Sequence, residues 1–277
     1  DMLMNPLFDK GDISKERKVI IEEIRSYEDI AEECAADLFY ATHFAPCGLS
    51  SPIAGTVQSV RRLTRESMLK YKEQVISEIP IYVCAAGKID HDSLVEECKK
   101  VFKNKKTKIS KLPENYGIAP SFKISSKPDL QQSSLVWGTS FQKTNLSKDF
   151  RFALSLFNVA FGAGMSSRLF QKIREEHGLA YTVYSTTDVF SDSYGFSVSL
   201  ATDPTKLLKS IQLVKNEFLN FMEKGFLEGE LKRTKRNILG SLEIGSDNTE
   251  KRLLRLAEHR LHFGECQAID SVKDSLK

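Results

Sequence analysis

The sequence predicts an α+β protein of two related lobes, each a largely antiparallel sheet covered by helices. Three observations lead there. Long amphipathic helical stretches alternate with a few short β-branched runs, and a Lys-, Ser- and Pro-rich stretch without sustained period interrupts the chain. The two halves also end comparable charged helices on the same pair, His43-Phe44 and His262-Phe263, a faint internal repeat. The boundary falls within Lys103 to Pro128, giving lobes of 1–115 and 116–277.

Each element has its local reason. In the first lobe, residues 13 to 45 carry a helical recurrence in Ile13, Val19, Ile20, Ile24, Ala31, Leu38 and Phe39, with Ser14 available as N-cap and a break near Asp29-Ile30. Pro46, Gly48, Pro52 and Gly55 make the next stretch a loop, and Thr64 caps a helix through Tyr71 and Val75 that Pro80 ends. Ile81 to Ala86 reads as a short buried strand closed by Gly87, and Asp90 to Phe102 as an amphipathic helix. In the second lobe, Ser133 to Phe141 reads as a strand and Asp149 to Phe161 as a helix, with Gly162-Ala163-Gly164 turning into a helix over Ser166 to Glu176. Two strands follow, Tyr181 to Phe190 and Tyr194 to Thr202. Asp203-Pro204 opens a long helix through Met222, a further one starts at Glu230, and the last covers Thr249 to Phe263, after which no further strand closes.

Composition bounds the function. With 277 residues, 41% of them hydrophobic and 28% charged, the chain can bury a sizeable core and carries no disorder, collagen or coiled-coil bias. No apolar run approaches the ~20 residues that cross a bilayer, so no membrane span is expected. Net charge is +3 from 40 basic and 37 acidic residues. The basic run from Lys99 to Lys111 lacks interleaved aromatics and reads as a solvated linker, so no nucleic-acid partner is expected. Five well-spread cysteines without a C-x-x-C pair read as reduced thiols. They favour a reducing compartment, the cytoplasm or, in a eukaryote, the mitochondrial matrix. The first residues form no targeting peptide, and the opening without an initiator Met, midway through a helix-to-loop transition, implies sequence upstream of residue 1.

Glu16 and Glu23 stand seven residues apart, almost two helical turns, so both carboxylates lie on one face beside Val19, Ile20 and Ile24. A carboxylate on such a face needs a cation or a metal if it is buried. An exposed Glu-Lys/Arg helix satisfies the same spacing.

Here the sequence resembles a known family. Asn5-Pro6, then Glu16-Arg17-Lys18-Val19-Ile20-Ile21-Glu22-Glu23-Ile24 and Tyr27-Glu28-Asp29, is similar to the segment downstream of the inverted H-x-x-E-H motif in pitrilysin/insulinase-type zinc peptidases, in particular the mitochondrial processing peptidases. Pro52-Ile53-Ala54-Gly55 and Ala85-Ala86-Gly87-Lys88-Ile89-Asp90 resemble two further family turns. Phe161-Gly162-Ala163-Gly164-Met165-Ser166-Ser167-Arg168-Leu169-Phe170 followed by Ile173 to Tyr181 is very similar to the family's second-lobe signature.

The resemblance implies a zinc metalloendopeptidase. Carried over, Glu23 is the third zinc ligand and Glu16 its supporting carboxylate. Arg174 and Tyr181 fall on the pair that contacts substrate and stabilises the oxyanion. The first lobe then bears the metal and the second grips extended peptide substrates, with homo- or heterodimeric assembly. None of His43, His91, His177, His259 or His262 belongs to an H-x-x-E-H motif, so two ligands and the general base are absent from these residues and one zinc ion would have an incomplete site here. His259 and His262 have H-x-x-H spacing but no adjoining Glu base, and read as ordinary helix positions. The chain alone is therefore expected to be inactive. A non-catalytic family member serving as partner or scaffold subunit is the alternative.

Overall fold

The computed structural model describes residues 3–102, 120–127, 130–143, 147, 149–190, 192–264, 266 and 268–276. They gather into two compact units, Asp1–Gly117 and Ile118–Lys277. The stretch expected to link two lobes lies largely outside the described residues.

The first unit is helical among its described residues. Helices α1 (Lys10–Glu28) and α2 (Ala31–His43) are separated at Asp29 and Ile30, and α3 (Val57–Arg62), α4 (Arg65–Glu78) and α5 (His91–Val101) follow. The cap of α1 is Asp9, whose carboxylate accepts the Gly11 and Asp12 amides; Ser14 falls inside the helix and caps nothing. Helices α3 and α4 both begin on reciprocal capping boxes, Thr56 with Ser59 and Thr64 with Ser67, which satisfy amides that a helix start leaves without partners. Ile21 and Ile24 of α1 pack with Val60 of α3 into a small core edged by Ile20 and Val57. The Arg17 guanidinium reaches across to donate to the Leu63 carbonyl at 2.7 Å.

The strand expected over Ile81 to Ala86 does not form: this run has no regular secondary structure, and Ile81, Tyr82 and Val83 are exposed. A strand is stable only when a neighbour takes its amides and carbonyls. No described segment of this unit supplies one, so β-propensity alone leaves the run outside any sheet.

The second unit is α+β. Strands β1 (Ser133–Gln142), β2 (Ala180–Val189) and β3 (Ser193–Thr202) form an antiparallel sheet in the order β1-β3-β2. The register sets Leu135 and Val183 opposite Leu200, and Trp137 and Ser185 opposite Val198. Period-two alternation then places Tyr194, Phe196, Val198 and Leu200 on one face, where they join a core with Phe161 of α6 (Phe150–Phe161) and Val214 and Phe221 of α7 (Leu207–Lys224). Gly162, ending α6, lets that helix sit hard against β2, since a Cβ there would lie 2.6 Å from the Ser185 amide nitrogen. Helix α8 (Glu230–Asp247) packs on α6 and on α9 (Thr249–Phe263).

The segment expected as a helix over Ser166 to Glu176 is helical from Arg168, wound as a single π-helical turn, the π-turn, over Phe170 to Glu176. The last expected helix is followed by α10 (Ile269–Leu276). Leu169 and Ile173 are both fully buried and belong to the core, so the turn is seated there. Among the described residues no helix is long and apolar enough to cross a membrane.

Candidate functional site

Glu16 and Glu23 lie in the first unit, on the exposed side of α1 away from Ile21 and Ile24. Glu22, next in sequence, is also exposed and accepts a 2.7 Å hydrogen bond from Arg25. A zinc site needs three or four ligand side chains converging on one point. Among the described residues no three His, Cys, Asp or Glu side chains do so. Glu23 can offer one carboxylate, but the described residues do not fit a complete zinc centre, and no catalytic step through a metal follows from them. His259 lines a cavity of about 390 Å³ in the second unit with Arg151, Tyr194 and Val272.

Arg174 and Tyr181 are brought together. They sit on two consecutive irregularities, the π-turn and the start of β2. The ladder pairs Ala180 with Thr202 and Thr182 with Ala201, which makes Tyr181 the extra residue of a β-bulge. Two consequences follow. Tyr181 shares the parity of the buried Val183, yet its side chain turns outward and is 75% exposed. Its main-chain carbonyl accepts a 2.8 Å hydrogen bond from Arg174 Nη1. The guanidinium lies between two rings, 5.0 Å from the Phe170 centroid and 5.1 Å from that of Tyr181, a cation–π arrangement that fixes its plane. Its remaining N–H groups and the Tyr181 hydroxyl make no other hydrogen bond among the described residues.

The turn that carries Arg174 is fastened at its C-terminal side by regular and side-chain bonds. The Leu179 amide donates to the Ile173 carbonyl at 3.0 Å. Thr202 Oγ1 donates to the Leu179 carbonyl at 2.5 Å. His177 lies outside the donor cluster, its Nδ1 2.8 Å from the Lys172 carbonyl. Lys172 also bonds Glu176 at 2.8 Å, holding the Glu176 carboxyl below the usual carboxylate range. The arrangement can present a rigid cation and a phenol to one carbonyl group of an extended ligand.

Sequence reasoning missed the residue behind this turn. Arg168 and Glu230, 62 positions apart, form a buried ion pair at 2.6 Å. The sequence carries no local sign that the two meet, and only the approach of the first turn of α8 to the helical residues just before the π-turn pairs them.

Comparison with known proteins agrees with this fold. A family model described as the peptidase M16 inactive domain matches residues 62–238. A protein of Streptomyces coelicolor named an uncharacterized zinc protease is 30% identical over 283 residues, covering 98% of this chain and 61% of that relative. This chain thus spans about three fifths of that relative's length. A protease from Helicobacter pylori superposes with a TM-score of 0.77 at 15% identity, covering 97% of this chain and 66% of the other. The peptidase M16 inactive domain from Pseudomonas fluorescens gives 0.74 at 17% identity, over 99% and 65%. At those identities the structural likeness is one of fold. With more than half of its residues matched by the family model, this chain belongs to the peptidase M16 family, the pitrilysin/insulinase type that its sequence resembles.

Proposed function

We propose that this chain is part of a zinc-dependent metalloendopeptidase and carries its substrate-gripping donors, Arg174 and Tyr181. The observation that carries this reading is their assembly on a π-turn facing a β-bulge, two irregularities that aim an otherwise regular helix and strand at one point. The Arg174 guanidinium donates charge-assisted hydrogen bonds to a carbonyl of an extended peptide. The Tyr181 hydroxyl donates to the oxygen of the scissile carbonyl and holds it more tightly as it gains charge, which lowers the barrier rather than only aiding binding. In the full-length protein Glu23 would contribute one carboxylate to zinc, with Glu16 supporting it, and the remaining ligands and general base would have to come from outside these 277 residues. The chain alone is then inactive.

The test uses the full-length protein. Tyr181→Phe and Arg174→Ala should each lower peptide cleavage by roughly ten- to a thousandfold, the range for losing an oxyanion donor, with zinc content unchanged. Wild-type turnover by either variant removes that residue from the site. The description of the matching family model as an inactive domain favours a second reading, a non-catalytic partner or scaffold subunit. A full-length protein that binds no zinc and cleaves no peptide would decide for it.

A further inference from the structure

Arg168 is a buried charge with no part in the chemistry above. It stands two residues before the π-turn, and its side chain is only 7% exposed, while that of Glu230 is 4% exposed. Nε and Nη2 donate to the two carboxylate oxygens of Glu230 at 2.9 and 2.6 Å, and Nη2 also donates to the Gly225 carbonyl at 2.7 Å. Nη1 lies 3.6 Å from Glu217, and the guanidinium sits 4.2 Å from the Phe221 ring centroid. Glu230 accepts the Leu227 amide at 2.8 Å as well, so the turn from α7 to α8 folds around the same carboxylate.

Burying such a pair is poor value for stability alone, because desolvation offsets most of the attraction. What a bidentate guanidinium–carboxylate contact supplies is geometry, since it fixes both the separation and the relative plane of the groups. Here it fixes the backbone at Arg168, immediately before Leu169 and Ile173, the two fully buried anchors of the π-turn. The other end of the turn is fixed by the bulge at Tyr181. Arg174 is thereby suspended between two fastened points.

We infer that Arg168, clamped by Glu230, is the positioning residue of the grip: it sets the π-turn so that Arg174 stacks on Tyr181 and faces the peptide. This rests on the reading of Arg174 and Tyr181 as the substrate-contacting pair. Arg168→Lys keeps the charge but cannot make the two parallel bonds. In the full-length protein it should lower kcat by roughly tenfold or more with a smaller change in KM, as expected when donors are misplaced. It should speed amide exchange in peptides spanning 168–181 while β3 stays protected. In an Arg174→Ala background it should cost nothing further, because it acts through Arg174. Wild-type kcat overturns the inference, and so does a loss that multiplies in full with that of Arg174→Ala. Should Arg168→Lys fail to fold, Glu230→Gln, which keeps the shape and removes the charge, carries the same three readouts. If Arg174→Ala itself cleaves at the wild-type rate, the grip reading falls; unchanged exchange over 168–181 sinks the clamp separately.

Discussion

At the scale of the residue, Glu23 is the sharpest case, since an exposed carboxylate on α1 is equally a metal ligand in waiting and a solvated helix charge. In the full-length protein, Glu23→Gln should lower zinc stoichiometry and peptidase rate together, because a neutral amide is a poorer ligand. Glu22→Gln is the control: it lies about 100° round the helix and is engaged by Arg25. Glu16→Gln should fall between them, at roughly 10–100-fold in metal affinity, as for a carboxylate that supports a ligand. Full zinc and full rate in Glu23→Gln would mean that the register of the metal assignment is wrong. Other carboxylates have clear local work. Asp90 accepts the Ser93 amide at 2.9 Å and Asp203 bonds Thr205, and those bonds hold both carboxyls below the usual carboxylate range. Burial pushes Glu230 up, but the bonds from Arg168 and the Leu227 amide outweigh it, leaving its carboxyl below the usual carboxylate range. Folded values below unfolded ones mean stability that is complete above the unfolded pKa and lost as pH falls through the folded one. Unfolding midpoints of this chain should therefore drop on acidification below about pH 4, and a midpoint independent of pH there would contradict these bonds.

At the scale of the element, caps and close approaches govern where helices start and how near they sit. Thr64→Ala removes the acceptor for the Ser67 amide and should destabilise by about 1 kcal/mol, the usual loss for an N-cap. Gly162→Ala should be worse. The added Cβ would meet main chain of β2, with the Ser185 nitrogen 2.6 Å away, so α6 must move rather than a side chain rotate. Overpacking of that kind costs roughly 1–3 kcal/mol. An unchanged denaturant midpoint for Gly162→Ala would show that α6 does not approach β2 so closely. The π-turn and the bulge at Tyr181 are elements of the same sort, each a departure from regular hydrogen bonding that re-aims one side chain.

At the scale of the whole molecule, the two units differ in what holds them. Among the described residues, fourteen buried hydrophobic residues form the core cluster of the second unit, against three in the cluster of the first. Burial stabilises by about 25 cal/mol per Å² of apolar surface, so the larger core should set the slower opening. In the 277-residue chain, amide exchange should be slowest along β3, which pairs on both sides, and faster in α1 to α5. Exchange in α1 as slow as in β3 would refute that ordering.

The sequence by itself determined most element types and the family. Helical period, Pro80, Asp203-Pro204 and the Gly162 to Gly164 turn are local signals, because capping, φ restriction and face-wise burial act within a few residues. It also singled out Arg174 and Tyr181, seven positions apart, through the resemblance of the motif that contains them to the family's second-lobe signature. Tertiary structure decided the rest. Whether Ile81 to Ala86 becomes a strand depends on a partner edge, which no period within the run encodes. That Phe170 to Glu176 winds as π is a departure from the regular ladder that the helical period does not encode. The clamp between Arg168 and Glu230 joins positions 62 apart, and only the tertiary burial of Arg168 against the start of α8 and Phe221 of α7 makes their charges a fixed pair rather than two solvated ones.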